Sequence, residues 1–283
     1  MPVTLEIVPT GAALGAEVRG LDLAQPMDEE TFAAVENAYD QHGVLFFRDQ
    51  RITPEQQVAF TRRFGDIAFN IFGQRWSVPG SPEIVVVSNI TDDGKPIGIR
   101  RAGEYWHSDM CYTARPPRGT ILYALETPQL YGLPLGDTEF ASTAAAWEAL
   151  PESLRQRIEG RRAVFDFTAR KRAFPPTAEE ISVNPPVRHP IVRTHPRTGR
   201  KCLYVMRDDC TAIDGIDGEE AQALIAALAD HIVKPRFIYR HRWQPGDLLM
   251  WDNCTVQHRA IQDYDLPQRR KMHRTTMGGS VPV

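Results

Sequence analysis

Short runs of apolar and β-branched residues recur along this chain, at Val44 to Phe47, Ile84 to Val87, Thr120 to Leu125, Ile191 to Arg193, Leu203 to Val205, Phe237 to His241 and Leu248 to Trp251, each bounded by Gly, Pro, Asn or Asp. Segments of this kind read as strands closed by turns. With 22 prolines and 20 glycines among 283 residues, the pattern favours a mainly β sandwich or barrel with accessory α-helices over a βαβ fold.

The helix signals are few and sharp. Asp28 precedes Phe32, Val35 and Tyr39 at helical spacing, and Gly43 closes the run. Thr53-Pro54-Glu55-Gln56 is a capping box with proline at the first helical position; it leads into Val58, Phe60 and Phe64 before Gly65. Ser142 caps a run through Trp147 and Leu150, a further helix follows Pro151, and Asp217 opens a run whose Leu224, Ile225, Leu228 and Ile232 share one face. No internal repeat or low-complexity linker interrupts the chain, so residues 1–283 are expected to form a single domain. Segments 74–82, 92–104 and 169–186 look loop-like, which makes the stretches near 74–104 and 169–186 candidate active-site lids.

Composition narrows the partners. A formal net charge of −3, from 33 basic and 36 acidic residues spread along the sequence, gives no field to recruit nucleic acid or anionic lipid, and points to a small molecule. No apolar run approaches the ~20 residues of a membrane span, and Met1 to Gly11 lacks a basic segment followed by an apolar one. A soluble, cytoplasmic protein is expected. The four cysteines, Cys111, Cys202, Cys210 and Cys254, form no C-x-x-C pair and fit free thiols in a reducing compartment. Cys111 and Cys254 lie near His107 and His258 in sequence, but isolated cysteines are usually small buried apolar residues.

The chemistry is concentrated in two places, around residues 105–109 and between residues 246 and 276. In an extended Tyr105-Trp106-His107-Ser108-Asp109 segment, His107 and Asp109 would share a face. His258 lies at the far end of the apolar run Leu248 to Trp251. Two imidazoles and one carboxylate leave half of an octahedron open, an arrangement suited to non-haem Fe(II) holding a co-substrate and O2 together. The remaining histidines, His42, His189, His195, His231, His241 and His273, have no matching partner spacing and read as structural. In Gln268 to Thr276, read as a strand, Arg270, Met272, Arg274 and Thr276 lie on one face. Two arginines inside a barrel are strongly destabilising without anions, and a guanidinium grips a carboxylate or sulfonate through paired hydrogen bonds. Their ~13 Å separation at ~3.3 Å per residue serves two separate anions. The same residues leave two other readings open: a zinc hydrolase using His107, Asp109 and His258, and a non-catalytic protein that captures an acid with its arginines.

Ordered motifs over nearly the full length carry a resemblance. They run from Thr10-Gly11-Ala12-Ala13-Leu14-Gly15-Ala16 and Phe46-Phe47-Arg48-Asp49-Gln50 through Arg63-Phe64-Gly65, Trp106-His107-Ser108-Asp109, Gly136-Asp137-Thr138, Asn184-Pro185-Pro186, His189-Pro190 and Arg193-Thr194-His195-Pro196. They end in Trp251-Asp252-Asn253, His258 and Gln268 to Arg274. In these the chain resembles the iron(II)/2-oxoglutarate-dependent dioxygenases of the taurine dioxygenase and 2,4-dichlorophenoxyacetate dioxygenase (TauD/TfdA) family. The resemblance implies a double-stranded β-helix, a cupin-like jelly roll, with His107, Asp109 and His258 as catalytic Fe(II) ligands. It implies 2-oxoglutarate bound by Arg270 with help from Thr138, and a substrate anion held by Arg274. The implied reaction consumes O2 and 2-oxoglutarate, releases succinate and CO2, and hydroxylates the substrate; Asp109, replaced by a small residue in related halogenases, argues against halogenation. Asn70 stands where taurine enzymes carry a histidine, and Met110 and Tyr112 fall where the family lines its substrate pocket. A small anionic acid other than taurine is the expected substrate, and a homo-oligomer the expected assembly.

Overall fold

The computed structural model describes residues 5–69, 75–170 and 176–283. Its centre is an eight-stranded sheet in the order Glu6–Pro9, Ala16–Arg19, Val44–Phe47, Leu248–Asp252, Gly119–Glu126, Lys271–Met277, Ser81–Ser88, Ser77–Val78. Every neighbouring pair is antiparallel except Ala16–Arg19 with Val44–Phe47.

The middle strands are buried on both faces, which is why they read as continuous apolar runs rather than alternating ones. Leu45, Phe47, Ile121, Tyr123, Leu248 and Met250 point to one core, where helices α1 (Glu29–His42) and α2 (Pro54–Arg62) bring Phe32, Val35, Tyr39 and Phe60. Val44, Phe46, Leu122, Ala124, Leu249 and Trp251 point to a second core on the opposite face. That core is shared with a three-stranded sheet, Ile238–His241, Thr138–Ser142 and Val256–Ala260, through Phe140, Val256 and Tyr239. The two sheets thus enclose the layer in which the chemistry-bearing residues lie.

The sequence signals for the helices hold closely. Asp28 accepts from Thr31 N at 2.7 Å and Gly43 caps α1 with φ 69°. Thr53 and Gln56 form the reciprocal capping box of α2. Helices α3 (Thr143–Glu148) and α4 (Glu152–Ile158) follow Ser142 and Pro151. The stretch expected to be a loop around 169–186 holds α5 (Ala178–Val183), opened by the capping box Thr177/Glu180. Helix α6 (Gly218–Ile232) buries Leu224, Ile225, Leu228 and Ile232 in a third core with Phe165, Ile191 and Leu203.

The stretch 74–104 also differs from a plain loop. It contributes Ser77–Val78, all of Ser81–Ser88 and the hairpin Thr91–Asp92 with Lys95–Pro96. Ile99 then returns to the sheet edge, donating to Val86 O at 2.9 Å and accepting from Ser88 N at 3.1 Å. Gly98 permits this approach, since a Cβ there would meet Val86 O at 2.6 Å. Among the described residues no helix is long and apolar enough to cross a membrane.

Candidate active site

His258 sits within the strand Val256–Ala260, opposite Phe140 of Thr138–Ser142. His107 meets it by an isolated bridge: His107 N donates to His258 O at 3.1 Å and His258 N to His107 O at 2.9 Å. Backbone pairing therefore sets the two imidazoles side by side, with ring centroids 4.2 Å apart. The segment Tyr105 to Asp109 is not a strand, contrary to the expectation from pleat geometry. The chain turns after His107, Met110 takes φ 45°, and the turn carries Asp109 back towards the rings.

That turn is held from outside. Asn253 Oδ1 accepts from Asp109 N at 3.2 Å, and Asn253 O accepts from Ser108 Oγ at 2.8 Å. Thr120 Oγ1 donates to Asp109 Oδ2 at 2.6 Å, which leaves Oδ1 facing the histidines. His107 Nε2 and His258 Nε2 lie 3.8 and 3.9 Å from that oxygen. Those separations are too long for hydrogen bonds, but fall within about 4.2 Å, twice a ~2.1 Å metal–ligand bond. Among the described residues these three form the group of potential metal ligands, and all are buried.

Electrostatics suit ligation. His107 Nδ1 is 2.8 Å from Tyr105 O, so its proton belongs on Nδ1 and the Nε2 lone pair faces the cluster. Burial, with the neighbouring His258 and Arg170, pushes His107 down to about 3. Burial likewise pushes His258 down to about 4. Both imidazoles are therefore neutral at physiological pH. Burial alone would raise the Asp109 carboxyl, but Arg274, the two imidazoles and the Thr120 hydroxyl hold it well below the usual carboxylate range.

The two inward arginines differ in their partners. Arg274 Nη2 lies 2.8 Å from Asp109 Oδ1, so its charge is offset by a ligand carboxylate rather than only by a bound anion as the sequence suggested. Arg270 is 3 % exposed, its Nε is unsatisfied, and among the described residues it has no ion pair. Its backbone is fixed by Asn89, which accepts from Arg270 N at 2.8 Å, and by Ser88 Oγ, which donates to Arg270 O at 2.7 Å. The regular strand begins at Lys271, with a bulge before Met272. Beyond it the expected alternation holds, because Met272 enters the inter-sheet core while Thr275 Oγ1 meets Thr61 of α2 at 2.7 Å. Thr138 is buried, and its Oγ1 accepts from Trp243 Nε1 at 2.9 Å.

The family model described as taurine catabolism dioxygenase TauD, TfdA family, matches residues 6–276. The chain belongs to the TauD/TfdA family. It is 34% identical over 280 residues to an alpha-ketoglutarate-dependent 2,4-dichlorophenoxyacetate dioxygenase of Cupriavidus pinatubonensis, covering 95% of this chain and 96% of that protein. It is 31% identical to an (S)-phenoxypropionate/alpha-ketoglutarate-dioxygenase of Sphingobium herbicidovorans, covering 99% and 96% respectively. Among solved structures, AAD-2 in complex with Mn(II) and N-oxalylglycine superposes with a TM-score of 0.83 at 32% identity, over 99% of this chain and 98% of that one.

Two of the other residues expected to shape a TauD/TfdA pocket follow the triad's Asp109 closely in the chain. Met110 follows Asp109 in the turn, and Tyr112 is 4 % exposed with its ring 4.8 Å from that of Phe167. Asn70 lies outside the described residues. Asn253, Thr120, Arg170 and Trp243 were not singled out by the sequence. Asn253 had a signal in the Trp251-Asp252-Asn253 motif; the others had none. Arg170 pairs with Asp209 at 2.7 Å and lies 4.8 Å over the Tyr105 ring and 5.6 Å from that of Tyr112. Of the histidines read as structural, His189 contacts Thr113 O at 2.9 Å, His231 contacts Ala146 O at 2.9 Å, and His195 and His241 lie 3.2 and 3.0 Å from Asp252 and Asp247. All four cysteines are free and buried, and none joins the ligand group.

Proposed function

We propose that this protein is an Fe(II)- and 2-oxoglutarate-dependent dioxygenase that hydroxylates a small anionic organic acid, a carboxylate or sulfonate other than taurine. The observation that carries the reading is the convergence of His107, Asp109 and His258 with the Arg274 guanidinium against Asp109, on a chain aligned over 95–99% of its length with enzymes named for aryloxy acids. In this reading the two imidazoles and Asp109 Oδ1 hold the metal, and Thr120 keeps Oδ2 occupied so that the carboxylate binds through one oxygen. Bound there, Fe(II) supplies the redox chemistry by which O2 converts a substrate C–H to C–OH while 2-oxoglutarate becomes succinate and CO2.

Arg270, buried and without an ion pair among the described residues, takes the far carboxylate of 2-oxoglutarate, with the buried Thr138 as a further contact. N-oxalylglycine, present with Mn(II) in AAD-2, differs from 2-oxoglutarate by an NH in place of a CH2, which supports a dicarboxylate at this position. Arg274 takes the substrate's anion, and Met110 and Tyr112 line the pocket around its carbon skeleton, with Asn70 as a further contact. Where hydroxylation falls next to a heteroatom, the adduct collapses and the substrate is cleaved. The two facing sheets are taken as a double-stranded β-helix of cupin-like form, with residues 1–283 as one domain, cytoplasmic and homo-oligomeric.

The test is a panel of aryloxy, alkyl and sulfonic acids, each paired with its neutral amide or alcohol, assayed for succinate release. Acids should couple to succinate formation and their neutral isosteres should not. Coupling to neutral or cationic compounds alone would sink the substrate assignment.

A further inference from the structure

Arg274 and a metal ion need the same atom. Arg274 Nη2 lies 2.8 Å from Asp109 Oδ1, the oxygen facing both imidazole Nε2 atoms. Asp109 and Arg274 already cancel one another as an ion pair. A divalent cation added to that arrangement leaves two uncompensated positive charges in a site whose ligands are each 6 % exposed or less. Arg170, another buried charge near the imidazoles, is matched by Asp209 and does not correct this. The Arg274 Nε has no hydrogen-bond partner, and the side chain keeps 24 % exposure, so the guanidinium has capacity for another acceptor.

We propose that Arg274 couples metal binding to substrate binding: it lies on the Asp109 oxygen that a cation would take, and an anionic substrate that engages its guanidinium removes the penalty for placing the metal beside it. This rests on the reading of His107, Asp109 and His258 as the metal site. Metal and acid then bind cooperatively, and the coupling is reciprocal. Arg274 thereby acts as a selectivity element twice, recognising the anion and penalising a metal centre that lacks one.

Mn(II) affinity, read from the EPR signal of the free ion, tests this without turnover. Arg274→Gln should bind Mn(II) about tenfold more tightly than the unaltered protein when no acid is present, within the roughly 5–150-fold range of such couplings. Arg274→Lys, which keeps the charge, should stay close to the unaltered protein, an outcome that a purely structural role would not give. Phenoxyacetate should tighten Mn(II) binding in the unaltered protein and not in Arg274→Gln, while phenoxyacetamide should do nothing in either. Equal affinities for the unaltered protein and Arg274→Gln, or no effect of phenoxyacetate on the unaltered protein, would overturn the coupling. His107→Ala separates the two levels. If it abolishes Mn(II) binding while Arg274→Gln is no tighter, the coupling alone fails; if it binds Mn(II) undiminished, the metal assignment fails and the coupling with it.

Discussion

Arg270 lies just before the strand that carries Arg274, and among the described residues only Arg274 of the two finds a carboxylate. That difference separates their mutants. Arg270→Ala should weaken 2-oxoglutarate by about 2–5 kcal/mol, the usual range for truncating one partner of a buried charge pair. Arg274→Ala should spare 2-oxoglutarate and raise KM for the acid; separate titrations of the two compounds check this, and a loss confined to 2-oxoglutarate in both mutants would refute two anion sites. Gly103, at φ 74°, lies so close under His107 that an added Cβ would meet its Cε1 at 2.9 Å. Gly103→Ala should therefore weaken metal binding about tenfold, on the scale of losses from disturbed ligand orientation; unchanged Mn(II) affinity would show that the ring tolerates displacement. At this scale the grouping of His107, Asp109 and His258 was legible through the ordered motifs around them, because H-x-D spacing alone is common. The mechanism of their convergence was not. A pleat was expected, and a turn was found whose clamp, Asn253, comes from 144 residues away.

The strands of the central sheet were legible where both faces are buried, since Val44–Phe47 and Leu248–Asp252 are then apolar throughout. Those that line the site were less so. Thr138–Ser142 and Val256–Ala260 carry Thr, Glu, Gln, His and Arg for function or solvent and hide their strand character. Helix α5 escaped notice because it buries nothing, although Thr177 and Glu180 spelled out its cap. Gly119 is the element-scale test. Tyr39 of α1 donates to Trp251 O at 2.8 Å directly across it, and an added Cβ would fall 2.0 Å from the Tyr39 hydroxyl and 2.6 Å from Trp251 O. Gly119→Ala should cost about 1–3 kcal/mol of stability, as overpacking does. Thermal unfolding would register this, and an unchanged Tm would mean that α1 is free to shift.

Over the whole molecule, burial of histidines ties stability to pH. Burial pushes His189 down to about 4, and does the same for His273. Between about 4 and the ordinary histidine value of 6.5 the unfolded chain binds protons that the folded one does not. Stability is therefore fully present above 6.5 and declines as pH falls towards 4, by up to about 3 kcal/mol for His189. His189→Gln should flatten that decline in urea unfolding series, whereas an unchanged slope would place the proton uptake elsewhere. The central claim is oxidative chemistry at one metal site, and simultaneous measurement of O2 uptake and succinate release with Fe(II), 2-oxoglutarate and a coupling acid tests it most directly. The account predicts equal amounts of O2 consumed and succinate formed, lost in Asp109→Ala and on replacing iron with Zn(II); turnover of the acid with zinc, without O2 uptake, would contradict it.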